Sequence, residues 1–249
     1  MTIVDRLRAA GCVFAEEEAA LLVEEAGGDV DRLDRMVGDR EDGRPLEQIL
    51  GWAEFAGIRV RVEPGVFVPR RRSEVLVRLA LGAARPDAVV VDLCCGSGAL
   101  GAALLAARPD LEVHAADLDP AAVACARRNL TPDRVHEGDL YDALPGHLRG
   151  RVDVLVVNAP YVPTDEIGLM PPEARDHEHL IALDGGPDGL DVQRGVCAGV
   201  GDWLAVGGTL VIETGRTQAA TTAALMEDAG LTPSVVTDDE IGGVAVAGT

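Results

Sequence analysis

The chain has 249 residues, of which 47% are hydrophobic, and its formal net charge at pH 7 is −20. This length suits one large domain, or one domain with a small appendage, and no apolar run is long enough to span a membrane. The acidity disfavours nucleic acid as a partner, because a phosphate backbone attracts basic surfaces. The five cysteines show no metal-ligand spacing, and no N-terminal secretory pattern is present, so we expect a reducing, cytoplasmic location and no bound metal.

Residues 1–43 are predicted to form a small helical subdomain of three short helices. Thr2 can cap the first helix, residues 15–26 form the second, and Asp29 opens the third. The second and third carry apolar residues at helical spacing: Ala19, Leu22, Val23 and Ala26, then Val30, Leu33 and Val37. These helices bury too little apolar surface to fold alone, so we expect them to dock on the rest of the chain.

Residues 44–72 are predicted to connect this subdomain to the main body. Pro45 favours the start of a short helix, and the alternation of apolar and charged residues over 58–62 indicates a half-exposed strand in a hairpin. The connector ends in a loop with three consecutive arginines, Arg70, Arg71 and Arg72. Two interpretations are open: a solvated basic spot before a helix that Ser73 caps, or a loop over an active site that meets a carboxylate.

Residues 73–249 carry the pattern of an α/β domain with a mostly parallel sheet. A buried strand over 88–93 includes Asp92 and runs into a glycine turn, and a helix of small residues follows over 99–107. The turn consists of Cys94, Cys95, Gly96, Ser97 and Gly98. The next strand, over 112–116, ends at Asp117, about 20 residues beyond the turn. An acidic residue at this distance can accept hydrogen bonds from ribose hydroxyls, so the pattern predicts a bound nucleoside.

The glycine turn favours S-adenosyl-L-methionine over a dinucleotide. A pyrophosphate site requires three glycines in the pattern G-x-G-x-x-G. With Cys94 at the first of these positions only Gly96 and Gly98 remain, although Gly101 follows. Asp92 is suitably placed to meet the ammonium group of the methionine moiety. A further acidic turn at Asp139 and Leu140 can meet the adenine amino group and ring. Asp92 and Asp139 could instead cap helices, but carboxylates after three successive strands favour a ligand site.

A fourth strand, over 154–157, is followed by Asn158, Ala159, Pro160 and Tyr161. The Asn158 side chain and the Ala159 carbonyl offer two hydrogen-bond acceptors, and Pro160 restricts the backbone before it. Tyr161 provides a flat aromatic wall. Two acceptors and a wall suit a planar NH₂ group whose nitrogen attacks an electrophile. A strand followed by an ordinary Asn-Pro turn is the alternative interpretation.

The C-terminal part is predicted to complete the sheet. A proline-rich loop over 162–180 contains His177 and His179, which we interpret as loop scaffolding. A helix over 191–204, a strand over 209–213 and a helix over 217–229 follow. The last 20 residues predict an antiparallel hairpin.

With these motifs, the chain resembles the HemK/PrmC-type release factor glutamine methyltransferases, a family of class I methyltransferases that use S-adenosyl-L-methionine. The motifs that carry the resemblance are the loop 67–70, the turn 92–98, Asp117, Gly138 with Asp139, the segment 158–161 and the segment 180–189. The cofactor site that the resemblance implies also includes Leu118, Leu140 and Asn158. The resemblance implies a Rossmann-like domain with a small N-terminal helical domain that engages a peptide chain release factor. It also implies that Asn158 and the Ala159 carbonyl hold the amide of a Gly-Gly-Gln glutamine for N-methylation, beside the wall of Tyr161.

The chain departs from the family pattern at three places. Ala159 replaces a proline, Arg71 and Arg72 replace a proline and an acidic residue, and the N-terminal helices are short. Motifs of this type also occur in enzymes that methylate nucleic-acid bases, so a base amine or a small-molecule nitrogen is an alternative acceptor. A nucleotide-binding oxidoreductase and a non-catalytic protein that binds S-adenosyl-L-methionine are alternatives of a different class. The sequence predicts no oligomeric state.

Overall fold

The computed structural model describes all 249 residues. The N-terminal part contains four helices and a hairpin: α1 (Ile3–Ala9), α2 (Ala15–Ala26), α3 (Val30–Glu41), α4 (Leu46–Leu50), β1 (Trp52–Phe55) and β2 (Ile58–Arg61). Thr2 caps α1 and Asp29 caps α3, each by accepting a hydrogen bond from a backbone N–H three residues later. The predicted helix starts and the predicted hairpin are therefore confirmed.

The first three helices and α4 share a hydrophobic core of their own, which includes Leu7, Leu22 and Val37. Within it, the buried Arg40 guanidinium donates to Glu18 at 2.6 Å and so joins α3 to α2. We expected the apolar stripes of α2 and α3 to be buried, and for two of their residues this is wrong. Val23 is 49% exposed and Val30 is 75% exposed. The buried faces lie to one side of them, on Ala15, Ala19, Leu22 and Ala26 in α2 and on Met36, Val37 and Arg40 in α3.

The main body is a seven-stranded sheet with helices on both faces. Its strands are β3 (Val89–Leu93), β4 (Glu112–Asp117), β5 (Val135–Glu137), β6 (Val152–Val157), β7 (Leu204–Glu213), β8 (Pro233–Asp238) and β9 (Gly243–Gly248). Its helices are α5 (Glu74–Ala83), α6 (Ala99–Ala107), α7 (Pro120–Ala126), α8 (Pro172–His177), α9 (Asp191–Trp203) and α10 (Ala219–Asp228). The strand order is β5-β4-β3-β6-β7-β9-β8.

The five strands β3 to β7 are parallel, and β9 pairs antiparallel with both β7 and β8. This confirms the predicted α/β class with a C-terminal antiparallel hairpin. β3 lies between β4 and β6, so the chain order reverses at the carboxyl end of β3. A crevice outside the strand ends is expected at such a switch point. None of the helices combines the length and the apolar character needed to cross a bilayer.

Some predicted boundaries differ from the structure. β7 begins at Leu204 rather than at residue 209, because its first residues pair with the start of β6 before a register shift. Helix α5 buries Val75, Leu76, Val77 and Ala80, whereas Ala83 is exposed at the helix end. The loop over 162–180 contains α8 and a 3₁₀ turn, Thr164–Leu169. The division at residues 43 and 72 stays a prediction.

Candidate active site

A cleft opens at the carboxyl ends of β3, β4 and β6 and encloses about 1220 Å³ of non-protein space, counting its open mouth. It brings together twelve of the fourteen residues that the sequence predicted for the site: Cys94, Cys95, Gly96, Ser97, Asp117, Leu118, Asp139, Leu140, Asn158, Ala159, Pro160 and Tyr161. Asp92 and Gly98 are outside the lining. The residues predicted to bind the nucleoside and the segment 158–161 therefore line the same continuous cleft.

The turn after β3 is held in an unusual backbone conformation. Cys94 has a φ of +59°, in the left-handed region, where a side chain costs about 1–2 kcal/mol relative to the right-handed form. Burial raises the pKa of the Cys94 thiol well above its usual range, so the thiol stays neutral. The strained turn points its backbone toward the cleft, where a ligand can approach Gly96 closely.

The Asp117 carboxylate organises this turn from the end of the neighbouring strand. One oxygen accepts from the Gly96 N–H at 2.8 Å and the other accepts from the Asp119 N–H at 2.9 Å. Each carboxylate oxygen retains lone-pair capacity for a second hydrogen bond. Burial raises the pKa of Asp117, and the backbone N–H donors oppose that rise. Asp119 caps α7 by accepting from the Ala121 N–H.

Asp92 lies outside the lining of the cleft, and its predicted contact with the ammonium group of the cofactor stays a prediction. Successive side chains alternate between the two faces of a strand, and Asp92 faces α6. Its Oδ2 accepts from the Gly101 N–H at 3.0 Å, while the buried Oδ1 has no partner. Burial raises the pKa of Asp92 to about 8. Asp92 therefore ties α6 to β3 beneath the turn.

Gly98 also lies outside the lining and has a packing role. Its φ is +75°, and a Cβ added there would come within 2.9 Å of the Leu130 side chain and 3.1 Å of Ala126. The glycine thus lets α6 begin closely packed against the segment after α7.

Replacing Gly98 with alanine is expected to lower the free energy of unfolding by about 2–4 kcal/mol. The left-handed conformation contributes about 1–2 kcal/mol of this and the overpacking against Leu130 about 1–3 kcal/mol. Chemical denaturation measures the change. Gly82→Ala is the matched control, because Gly82 is an exposed helical glycine with nothing within 4 Å of an added Cβ. That control should stabilise α5 by up to about 1 kcal/mol. Equal effects of the two substitutions would contradict this account.

On the far side of Asp117, the turn after β5 contributes Asp139 and Leu140. The Asp139 side chain is exposed and no protein donor reaches its carboxylate, which leaves it free for a ligand. Leu140 has a φ of +44° and begins a 3₁₀ turn, Leu140–Ala143, packed beside α9. A Cβ on Gly195 of α9 would come within 2.8 Å of the Leu140 side chain. Because Gly195 has no side chain, Leu140 can pack closely against α9.

At the other end of the cleft, Asn158 and Ala159 present two uncommitted acceptors. The Asn158 Nδ2 donates to the Ser73 Oγ at 3.3 Å, and its Oδ1 accepts no hydrogen bond from the protein. The Ala159 carbonyl likewise receives no intramolecular hydrogen bond. The predicted role of Ser73 as a helix cap is wrong, since its side chain makes no cap hydrogen bond to α5. It anchors the Asn158 carboxamide instead.

Tyr161 is fixed at both of its ends by residues that the sequence reasoning missed. Its hydroxyl donates to the Glu213 Oε1 at 3.1 Å, and its carbonyl accepts from the Gln218 Nε2 at 3.0 Å. Burial, with Glu213 nearby, raises the pKa of Tyr161 to about 12. A signal for Glu213 existed in the sequence, because an acidic residue ends yet another buried strand. Gln218 carried no comparable signal.

Each of the two interpretations of the arginine loop, a solvated basic spot or a loop that meets a carboxylate, is correct for part of it. Arg70 donates to the buried Glu178 at 2.5 Å, and Glu178 also accepts from the Val68 N–H at 3.1 Å. Arg72 lines the cleft and lies 3.3 Å from the Glu213 carboxylate. Arg71 is exposed and forms no ion pair. Two of the three arginines thus meet carboxylates, whereas the middle one is a solvated charge.

The segment over 162–183 covers the cleft and is fastened on both sides. The His179 Nδ1 lies 2.6 Å from the Asp119 Oδ2, and the His177 carbonyl accepts from the Gln48 side chain at 3.1 Å. The segment contributes Met170, Ile181, Ala182 and Leu183 to the lining. The His179 side chain and the His177 backbone carbonyl thus help to hold this loop in place.

These features define a class I methyltransferase. They are the parallel sheet with this strand order, the antiparallel C-terminal hairpin, and a cleft that runs from the acidic residue after β4 to the Asn-x-Pro-Tyr turn after β6. In agreement, the family model described as methyltransferase small domain matches residues 57–169. The solved structure of a methyltransferase from Pyrococcus furiosus has the same fold, with a TM-score of 0.57, 16% sequence identity, and coverage of 77% of this chain and 88% of that one.

The chain belongs to the release factor glutamine methyltransferase family, and its methyl donor is S-adenosyl-L-methionine. The release factor glutamine methyltransferase of Streptomyces coelicolor is 43% identical over 189 residues, which cover 74% of this chain and 67% of that protein. Relatives of the same name from other bacteria are 34–39% identical. The 4-amino-L-phenylalanine/4-methylamino-L-phenylalanine methyltransferase of Streptomyces pristinaespiralis is 39% identical over 199 residues, which cover 75% of this chain and 66% of that protein.

Proposed function

We propose that this enzyme methylates the side-chain amide nitrogen of a glutamine in a peptide chain release factor. The observation that carries the proposal is the pair of uncommitted acceptors, the Asn158 Oδ1 and the Ala159 carbonyl, in the same cleft as Asp117. A primary amide presents two N–H donors in one plane, which this pair can accept together. The relatives named release factor glutamine methyltransferase support the choice of acceptor.

The cofactor end of the cleft fits the adenosyl part of S-adenosyl-L-methionine. Asp117 has the spare acceptor capacity for ribose hydroxyls, and the free Asp139 carboxylate can accept from an adenine amino group. Leu118 and Leu140 supply apolar surface for the adenine ring, and the turn from Cys94 to Ser97 supplies backbone groups. When bound, the cofactor supplies a methyl group on a positively charged sulfur. Asp92 acts indirectly in this proposal, by holding the turn.

At the acceptor end, the residues of this chain act by positioning. The Asn158 Oδ1 and the Ala159 carbonyl hold both amide hydrogens, which fixes the plane of the amide and leaves the face of its nitrogen toward the cofactor end. Tyr161 forms the wall that keeps the amide in this plane. Fixed orientation of two reacting groups can supply about 7–11 kcal/mol of a barrier. Hydrogen bonds to the N–H groups also place electron density on the nitrogen.

The second candidate acceptor is the amino group on the aromatic ring of a small amino acid. It is favoured by the 39% identity to an enzyme whose name states 4-amino-L-phenylalanine as its substrate. An aromatic amine also offers two hydrogens to the same two acceptors. A base amine in nucleic acid is disfavoured by the net charge of −20.

The test is to incubate the enzyme with isotopically labelled S-adenosyl-L-methionine and either a release factor or 4-amino-L-phenylalanine. Mass spectrometry should find one methyl group on the glutamine of the Gly-Gly-Gln sequence. The release factor with that glutamine replaced by alanine is the matched control and should stay unlabelled. Tight cofactor binding with no methyl on the glutamine would overturn the proposed acceptor, and labelling of the free amino acid would establish the second candidate.

We also propose a cytoplasmic location, where this partner would be met. All five cysteines are free thiols, and four of them are buried. Unpaired cysteines in this number fit a reducing compartment.

A further inference from the structure

A buried carboxylate that the proposed chemistry does not use lies behind the acceptor end of the cleft, beneath Tyr161. Glu213 is the last residue of β7, and 1% of it is exposed. Its Oε1 accepts from both the Tyr161 hydroxyl and the Arg72 Nε, at 3.1 and 3.3 Å. Its Oε2 is buried and has no partner. Glu213 does not line the cleft, so it cannot touch the acceptor directly.

Such an arrangement is an inefficient way to stabilise a fold. Burying a carboxylate costs several kcal/mol, and an ion pair regains this only when its remaining lone pairs are satisfied. Here one oxygen makes both contacts and the other makes none. The Arg72 side chain is 44% exposed, so solvent screens its attraction for Glu213. The arrangement is better explained by the orientation that it imposes on its neighbours.

The group that it orients is the aromatic wall. Tyr161 follows Pro160, its carbonyl is held by Gln218, and its hydroxyl is held by Glu213. The Arg72 guanidinium carbon lies 5.9 Å from the centre of the Tyr161 ring and supplies the charge that balances Glu213. With both ends of the residue fixed, the ring cannot swing into the cleft.

We propose that Glu213 is a positioning residue for methyl transfer, acting through the hydroxyl of Tyr161, with Arg72 as its counter-charge. The effect on turnover rests on the proposed function, because it requires an acceptor held against Tyr161. The support of the phenol by Glu213 does not depend on the identity of the acceptor.

The first test is a double-mutant cycle with Glu213→Gln and Tyr161→Phe, assayed on the release factor. Each single substitution should lower kcat on the order of 10-fold, below the roughly 10²-fold that a 1 Å misplacement can cost. The affinity for S-adenosyl-L-methionine should stay unchanged. The double variant should be no slower than the worse single variant, because both substitutions remove the same hydrogen bond. Losses that multiply to about 10²-fold in the double variant would overturn the proposal, since Glu213 would then act independently of Tyr161.

The second test needs no acceptor, and it measures the ionisation of Tyr161 by ultraviolet absorbance after a rapid alkaline pH jump. The pKa of Tyr161 should fall from about 12 in Glu213→Gln, because a neighbouring negative charge is removed, and should rise in Arg72→Met. Tyr161→Phe identifies the signal, since Tyr141 is the only other tyrosine. Glu178→Gln is the matched control, because it alters another buried carboxylate paired with an arginine.

The control should leave the Tyr161 titration unchanged. An unchanged titration in Glu213→Gln, with the fold intact by circular dichroism, would overturn the proposal. If the wild-type enzyme transfers no methyl group to the release factor, the proposed function fails. The titration still decides whether Glu213 supports the phenol.

Discussion

Replacing Asn158 with alanine is expected to lower kcat by about 10²- to 10³-fold while the affinity for S-adenosyl-L-methionine stays within a few-fold. Loss of one preorganised hydrogen-bonding group from an enzyme site has an effect of this size. The substitution removes the Oδ1 acceptor but leaves the Ala159 carbonyl and the Tyr161 ring in place. Single-turnover kinetics with a release factor, together with calorimetric titration of the cofactor, measure the two quantities separately.

Asn129→Ala provides the matched control for this experiment. The Asn129 carboxamide donates to the carbonyls of Arg61 and Ser97, at 3.0 and 2.8 Å, and so supports the cofactor turn rather than the acceptor end. The same substitution there should weaken cofactor binding more than it lowers kcat. If Asn158→Ala abolished cofactor binding to the same degree as turnover, Asn158 would belong to the cofactor site and the proposed grip on the amide would be wrong.

Replacing Asp117 with alanine is expected to weaken the binding of S-adenosyl-L-methionine by about 10²-fold or more. Hydrogen bonds to a charged acceptor contribute about 1.5–3 kcal/mol each, and about 1.4 kcal/mol is a tenfold change in affinity. The loss also releases the Gly96 and Asp119 N–H groups that the carboxylate holds. Calorimetric titration measures the change, and a parallel titration with NAD tests the oxidoreductase alternative, for which no binding is expected.

The pH dependence of cofactor binding gives an independent check on Asp117. Burial raises the pKa of this carboxyl group, so it takes up a proton at a higher pH than an ordinary aspartate does. The protonated form has lost acceptor capacity, and the affinity of the wild-type protein should therefore fall as the pH is lowered. In Asp117→Asn, which cannot ionise, the affinity should start lower and its decline on acidification should be smaller. An unaltered pH profile in this variant would assign the titration to another group.

The largest part of the architecture follows from local patterns in the sequence. The helix over 15–26, the capping by Thr2 and Asp29, and the helix over 99–107 depend on residues close in the chain, and the structure confirms them. The twelve cleft residues were also predictable. In parallel strands, the residues that follow each carboxyl end meet at one edge of the sheet. A residue that directly follows a predicted strand can therefore be assigned to the site from the sequence.

The sequence alone did not give the direction in which a side chain points. Asp92 and Asp117 are both acidic residues at strand ends, yet Asp117 reaches the cleft and Asp92 lies beneath α6. The pleat of the strand and the helix that covers it decide which face of the sheet a side chain occupies. Neither can be read from the few residues at the end of one strand. The prediction that Val23 and Val30 are buried was wrong for a similar reason. Neighbouring helices determine which part of an apolar stripe is covered.

By itself, the sequence determined the order of strands and helices, the single edge at which the chemistry gathers, and the family, because each of these depends on short segments of adjacent residues. The tertiary structure alone decided which distant residues support that edge. Ser73 meets Asn158 across 85 positions, Arg72 meets Glu213 across 141, and Arg70 meets Glu178 across 108. No local pattern encodes such pairs, since they form only when the sheet, the connector and the covering loop pack together.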